Sequence, residues 1–336
     1  MGNQLVLWVI LIVVKLMLKN CYNGSIMSDN FRTVVPLKNP GWEIAHSNPL
    51  LLTGSCFAEN IGALLKRARF DVMVNPHGIV FNPMSVARGI HDLIQDKCYT
   101  REDLTQSDGL WMSLFHHGKY NDTHAEVALN AINQDIETGT RQLQQAKVLM
   151  VTWGSAWAYR WRATGDIVAN CHKIPQQNFE KLMLAHDEIV STWKLLIHDL
   201  RNLNPGIKVL LTISPVRHWR DGVHENQISK AHLLIAAETL CQEMEEVFYF
   251  PSYEIVLDDL RDYRFYKEDM LHPNDAAVRY IWQRFAETYF SNNTNIILNQ
   301  IEPLLRYLEH RPLHTSAELH ARLCQEKEEE IQMLIG

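Results

Sequence analysis

The chain has 336 residues, 46% of them hydrophobic and 21% charged, which is enough apolar material for one large globular domain with additions. Its net charge of −7 supplies none of the basic surface that nucleic acids require, so that class of partner is not expected. The six cysteines, Cys21, Cys56, Cys98, Cys171, Cys241 and Cys324, form no C-x-x-C pair and fit no zinc spacing; thiols scattered this way predict a reducing, cytoplasmic compartment.

Residues 5–18 are strongly apolar and interrupted only by Lys15. The run is short for a spanning helix and lacks the basic leader of a signal peptide. Residues 1–29 are therefore read as an extension, with Met27 as a plausible start and residues 1–26 dispensable. The alternative is a retained anchor or an unusual signal, which would make the protein membrane-anchored or exported. Contact with a membrane is expected only in that case.

Residues 31–47 are a polar lead-in with Pro36, Pro40 and Gly41, expected to lie on the surface or to add an edge strand over residues 33–37. Leu50, Leu51 and Leu52 follow, three in a row with neither helical spacing nor alternation, as in a buried strand. The chain turns through Gly54, Ser55 and Cys56 into a helix whose apolar face is Phe57, Ile61, Leu64, Leu65 and Ala68. A short strand at 71–74 leads into a loop with Pro76, Gly78 and Pro83; Asn82 is placed to cap the next helix and Pro83 to open it. Residues 98–122 are irregular and rich in aromatics and histidine (Trp111, Phe115, His116, His117, Tyr120), as functional loops and lids often are.

A helix is predicted over 125–145 and a strand over 148–152 that ends at Trp153, Gly154, Ser155, Ala156 and Trp157. Residues 158–178 read as a hairpin or loop. Leu182, Ile189, Trp193, Leu196, Ile197 and Leu200 then predict one long helix over 179–203, stopped at Asn204-Pro205-Gly206. A strand at 209–213 ends at Ser214, Pro215, Val216, Arg217 and His218. A helix at 227–244, a strand at 247–250 and an acidic, aromatic stretch at 257–266 follow. Asn274 caps a last domain helix with Val278, Ile281, Trp282 and Phe285 on its face. Helices at 296–308 and 317–334 form an extension, residues 291–336, packed on the domain or on a partner. The strand–helix rhythm predicts a three-layer α/β/α domain over residues 30–290, with a flavodoxin-like parallel sheet of five strands.

In such a fold the site lies at the carboxyl edge of the sheet. The polar residues expected there are Ser55 and Cys56, His77 and Gly78, Gly154 and Ser155, Arg217 and His218, and Asp269 and His272. Ser55 and Cys56 sit at a helix N-terminus, where backbone N–H groups and the helix dipole favour negative charge. They are candidate nucleophiles, or else a tight turn around a small buried thiol. Three residues after Asp269, His272 can serve as a base whose tautomer the carboxylate fixes; a helix-capping turn is the structural alternative, and the two are compatible. Arg217 can hold an anionic substrate group, or pair with the acids near Asp258 and Asp262. His77, His116, His117 and His218 invite a metal, but adjacent histidines point apart and no His-x-His or carboxylate cluster accompanies them, so none is predicted. A loop histidine bonded to substrate, or stacked on Trp111, is the plainer reading. Trp153 and Trp157 read as core or groove wall.

Gly54-Ser55-Cys56-Phe57-Ala58, Asn75-Pro76-x-Gly78-Ile79, Ser214-Pro215-Val216-Arg217-His218, Asp262-Tyr263-Arg264-Phe265-Tyr266 and Asp269-Met270-x-His272-Pro273 together resemble the blocks of the GSCFA domain family, over about residues 31–290. That family resembles SGNH/GDSL hydrolases, flavodoxin-like esterases and acyltransferases that act on lipids and on glycan acetyl groups. The resemblance implies acyl-ester hydrolysis or acyl transfer without a cofactor, on a small-molecule or glycan acyl ester. Laid on the SGNH pattern Gly-Asp-Ser, Cys56 takes the nucleophile's place, as a thiolate acidified by the helix N-terminus. Ser55 remains a candidate because SGNH relatives use serine. His272 and Asp269 match the base and its partner. Gly154-Ser155-Ala156-Trp157 resembles the Gly-x-Asn-Asp block, with Ala156 where the oxyanion asparagine belongs. The oxyanion is then expected to rest on the N–H groups of Cys56 and Gly78, with Ser155 and Gly154 beside them. Three rivals stand: a non-catalytic ligand-binding module on a degenerate SGNH scaffold, a metal-dependent hydrolase, and an interaction protein working through its acidic C-terminal helices. Nothing in the sequence sets an oligomeric state.

Overall fold

The computed structural model describes residues 32–310 and 317–336. The apolar run at 5–18 lies outside the described residues. In chain order the first elements are β1 (Leu50–Gly54), α1 (Cys56–Arg67), β2 (Val72–Val74), α2 (Pro83–Ile94), β3 (Thr105–Ser107), β4 (Leu110–Met112) and α3 (Ala125–Gln145). Then come β5 (Val148–Trp153), β6 (Trp157–Trp161), β7 (Ile167–Val168), β8 (Phe179–Met183), α4 (His186–Leu203), β9 (Lys208–Ile213), α5 (Val223–Glu243) and β10 (Val247–Phe250). The helices α6 (Asp275–Tyr289), α7 (Asn292–Glu309) and α8 (Ala317–Ile335) close the chain.

Five strands pair in parallel in the order β10-β9-β5-β1-β2. Counted along the chain, the central strands run 2-1-3-4-5, the flavodoxin-like order. The register sets Leu50 beside Val148 and Val72, and Gly54 beside Thr152. The unbroken leucine run has a direct cause. Side chains alternate across a strand, and both faces of this sheet are covered. Leu50, Leu52, Val148, Met150 and Leu210 pack with Phe57, Ile61 and Leu65 of α1 and with Ile281 and Phe285 of α6. Leu51, Leu149, Val151, Val209 and Leu211 pack with α2, α3, α4 and α5 on the other face. Each buried leucine contributes about 2 kcal/mol, so a polar residue at either parity would be costly.

The predicted caps form. Asn82 Oδ1 accepts the Ser85 N–H at 2.8 Å ahead of Pro83, and Asn274 Oδ1 accepts the N–H groups of Ala276 and Ala277 at 3.1 Å each. Gly54 ends β1 at φ 129°, and a Cβ there would lie 2.1 Å from the Thr152 carbonyl oxygen of the neighbouring strand. Only glycine lets the chain leave the sheet at that point.

One alternative and one helix are corrected. The lead-in lies at the surface, and residues 33–37 form no edge strand. Instead Val35 N–H donates to Asp259 Oδ1 at 2.6 Å and Val35 O accepts from Arg284 at 2.8 Å, so side chains satisfy the backbone that a ladder would have used. The single long helix over 179–203 is a strand followed by a helix. Phe179–Met183 pairs antiparallel with β6, and the helix begins at His186. Within residues 158–178, β6 and β7 form a hairpin of the same small antiparallel sheet, of order β7-β6-β8, and the rest is loop.

The C-terminal helices α7 and α8 share a small core of Ile297, Ile301, Leu305 and Ile331. They dock on the end of α1, where Arg67 pairs with Glu302 and Glu309 at 2.6 Å and Arg69 with Glu328 at 2.7 Å. Among the described residues no helix is long and apolar enough to cross a membrane. Cys56, Cys98, Cys171, Cys241 and Cys324 are free thiols.

Candidate functional site

The carboxyl ends of the strands carry the polar residues singled out by the sequence. At β1, Ser55 caps α1. It is fully buried, and its Oγ accepts the Phe57 N–H at 3.3 Å. Cys56 opens α1 and is half-buried. Burial and the Glu59 carboxylate push its thiol up, while its own N–H, that of Phe57 and the Lys230 ammonium pull the other way. The net direction is upward. The expected acidified thiolate is therefore corrected: removal from water outweighs the helix N-terminus here.

At β2, Asn75 Oδ1 accepts the Gly54 N–H at 2.9 Å, which ties this loop to the nucleophile turn. The Gly78 N–H donates to Asn75 O at 2.7 Å. It is engaged in the turn and does not supply the oxyanion donor the sequence suggested. Gly78 itself is required, since at φ 73° a Cβ would lie 2.2 Å from His117 Cβ. His77 does not line the open edge. It is 2% exposed, stacks on His116 at 4.8 Å between centroids, and lies 3.6 Å from Asp92 Oδ2. His116 is fully buried with Nδ1 2.8 Å from Ser113 Oγ. Among the described residues no three His, Cys, Asp or Glu side chains group as a metal site.

At β5, both the Gly154 and Ser155 N–H groups donate to Phe81 O, at 2.8 and 3.2 Å. Ser155 Oγ lies 3.1 Å from Ser229 Oγ and accepts the Trp157 N–H at 3.0 Å. Gly154 and Ser155 therefore hold β5 to its neighbours, and their donors are not open to a ligand. At β9, the Arg217 N–H donates to Leu271 O at 3.2 Å, which draws this loop against the one bearing His272. Arg217 Nε and His218 Nε2 are buried and have no hydrogen-bond partner. Buried polar atoms of this kind are uncommon and mark places where a water or ligand is expected. Burial, with Lys230 and His272 nearby, lowers the His218 imidazole to about 4.

In the last loop, His272 Nδ1 lies 2.6 Å from Asp269 Oδ2. Asp269 Oδ1 accepts the N–H groups of Leu271 and His272 at 2.9 and 3.0 Å. These backbone donors, with the imidazole, hold the Asp269 carboxyl at about 2. Both side chains are partly exposed. A cleft of about 260 Å³ opens beside this loop, lined by Arg217, Trp219, Leu260, Tyr263, Tyr266 and Met270 among others.

Sequence reasoning missed Lys230. It is 2% exposed, and Nζ donates to Gly154 O and Ser214 O at 2.7 Å each. Burial, and then Arg217, lower its ammonium to about 7. The buried face of α5 is Asn226, Ser229, Lys230, Leu233, Ala236, Ala237 and Leu240; its mixed polarity left no apolar stripe to mark the lysine, and lysine is almost never fully buried without a partner.

Among curated proteins no match is found. One similar solved structure is a family two carbohydrate esterase from Clostridium thermocellum in complex with cellohexaose. It shares 12% sequence identity, with 81% of this chain and 68% of that chain covered at a TM-score of 0.33. The profile of the GSCFA family matches residues 49–285, a span that runs from the start of β1 into α6 and includes every strand-end residue described above. This chain belongs to the GSCFA family.

Proposed function

We propose that the protein is a cofactor-independent acyl-ester hydrolase or acyltransferase, with Cys56 as nucleophile and His272, oriented by Asp269, as base. The observation that carries this reading is the 2.6 Å contact of His272 Nδ1 with Asp269 Oδ2, in a loop bonded to the β9 end of the edge where α1 begins. Cys56 is preferred to Ser55 because the Ser55 hydroxyl is fully buried as a helix cap.

Because burial keeps the thiol protonated, attack needs a base. His272 takes the Cys56 proton as sulfur adds to the ester carbonyl. The oxyanion faces the Cys56 N–H at the start of α1. Collapse to a thioester expels the alkoxide, which recovers the proton from His272. Water or an acceptor hydroxyl, deprotonated by His272, then releases the acyl group and the thiol. The cleft beside the loop that carries Met270 and His272 suits a glycan O-acyl ester. Trp219 and Tyr263 line it, 43% and 75% exposed, and offer flat faces to a sugar ring, and Arg217, which also lines it, has a buried Nε without a partner.

The test is turnover of a panel of chromogenic acyl esters and O-acetylated oligosaccharides by wild type, Cys56→Ala, Ser55→Ala and His272→Ala, with mass spectrometry for an acyl adduct on Cys56. Loss of turnover in Cys56→Ala and His272→Ala, with Ser55→Ala active, supports the assignment. Full activity in Cys56→Ala removes it.

A second reading, a ligand-binding module on a non-catalytic scaffold, is favoured by the engaged N–H groups of Gly78, Gly154 and Ser155 and by the raised Cys56 thiol. It predicts no turnover on any ester, and oligosaccharide binding that survives Cys56→Ala.

A further inference from the structure

We propose that the cleft beside the His272 loop takes a carboxylate-bearing sugar, with the Arg217 guanidinium as the anchor of its carboxylate. The proposal names the substrate class of the acyl-ester site and rests on that reading.

Two loops meet to make the cleft. Arg217 and Trp219 line it from the loop after β9, and Tyr263, Tyr266 and Met270 from the segment that leads to His272. The Arg217 N–H donates to Leu271 O at 3.2 Å, and Leu271 is the residue before His272. An anion held by Arg217 is therefore seated beside the loop of the proposed base. The arginine is part-buried, and its Nε is buried without a hydrogen-bond partner. Its Cζ lies 5.9 Å from the Trp219 ring centroid, within the range at which an indole attracts a guanidinium.

A part-buried guanidinium ordinarily meets a carboxylate of its own chain, because an unpaired charge is costly away from water. The acids that could serve are already taken. Asp258 pairs with Arg261, Asp259 with Arg284 at 2.8 Å, Asp262 with Arg264 at 3.5 Å and Asp269 with His272 at 2.6 Å. Arg261 and Asp262 also line the cleft, and each has its counter-ion. Among the described residues no ion pair includes Arg217. What the cleft leaves unmatched is one positive charge on a planar fork of N–H donors. That fits a planar carboxylate with one negative charge; a phosphate dianion calls for a second free cation. The exposed faces of Trp219 and Tyr263 beside it suit the sugar ring that carries the carboxylate.

The test is titration calorimetry on the full-length protein with oligomers of galacturonate, glucuronate, mannuronate and sialic acid, each as the free acid and as its methyl ester, and with a hexose phosphate for comparison. At least one free acid should bind about tenfold or more tighter than its ester, the worth of a charge-assisted contact, and Arg217→Gln should remove the difference. No binding by any free acid, equal affinity for every acid and its ester, an acid preference that survives in Arg217→Gln, or tighter binding of the hexose phosphate overturns the proposal. Should Arg217→Gln fail to fold, phenylglyoxal modification of wild type with and without the preferred acid, mapped by mass spectrometry, decides the matter. Protection of Arg217 supports the anchor, and undiminished modification overturns it. The underlying reading fails separately: an Arg217-dependent acid preference without ester turnover removes the enzyme and leaves the anion site, whereas ester turnover with equal KM in wild type and Arg217→Gln on neutral and acidic esters removes the anion site alone.

Discussion

Asp269 holds His272 at two levels: one carboxylate oxygen lies 2.6 Å from the ring Nδ1 and the other accepts the His272 backbone N–H at 3.0 Å. The carboxylate thus fixes both the loop and the tautomer, leaving Nε2 as the proton acceptor. Since Asp269 is held at about 2, it is ionised from mildly acidic pH upward. Asp269→Asn should lower kcat on a chromogenic ester by about 100-fold or more, the usual worth of a positioned base, with a smaller effect on KM. Equal activity of the variant across the pH profile would assign this pair to loop structure alone.

Ser55 and Cys56 should separate by phenotype. Ser55→Ala removes the cap of α1 and is expected to cost about 1 kcal/mol of stability while retaining turnover. Cys56→Ala should leave the urea midpoint nearly unchanged and abolish turnover. Paired denaturation and activity measurements check both, and the reverse pattern would make Ser55 the nucleophile.

Stability should fall as pH drops from roughly 6.5, the ordinary histidine value, toward 4. Burial holds His116 well below its ordinary value and His218 at about 4, and it lowers His172 as well. Unfolded, each binds a proton from about 6.5 downward; folded, each resists until its lower value is reached. The unfolded state therefore binds more protons in this window, and each such group withdraws up to about 1.4 kcal/mol per pH unit. Glu254, raised by burial, works the other way and offsets part of the slope. Carboxylates with lowered values, Asp269 among them, contribute only at lower pH. Thermal melts through the window should show the decline, and His218→Gln should flatten it; a melting temperature that is level from neutrality to pH ~4 contradicts the assignment.

Asp259 docks the lead-in segment. Its side chain is fully buried, and it accepts from Val35 N–H, Tyr280 and Arg284 at 2.6, 2.7 and 2.8 Å. Asp259→Ala leaves the largely buried Arg284 guanidinium without its buried carboxylate, with only the exposed Glu287 at 3.8 Å beside it, a change that typically costs about 3–5 kcal/mol. Urea denaturation should show that loss, and limited proteolysis should cut near Val35 more readily than in wild type.

Much of this protein was legible in the linear sequence because the signals are local. Leu50, Leu51 and Leu52 require a strand covered on both faces, Asn82 and Asn274 cap the helices that follow them, and an aspartate three residues before His272 can reach its ring through a single turn. The lost information is long-range. Phe179 and Leu182 fit a helical stripe as well as a strand, and only antiparallel pairing with β6 selects the strand. The N–H groups of Gly154 and Ser155 look available until Phe81, more than seventy residues earlier, brings its carbonyl to both. His77 was placed at the edge by its position after β2, yet packing turns it inward onto Asp92 and His116. Lys230 carries no mark in the sequence; only the packing of α5 against β9 and β10 buries it on the carbonyls of Gly154 and Ser214. Residue type and local spacing determined what chemistry this chain can carry. Burial and pairing between distant segments decided which groups remain free to perform it.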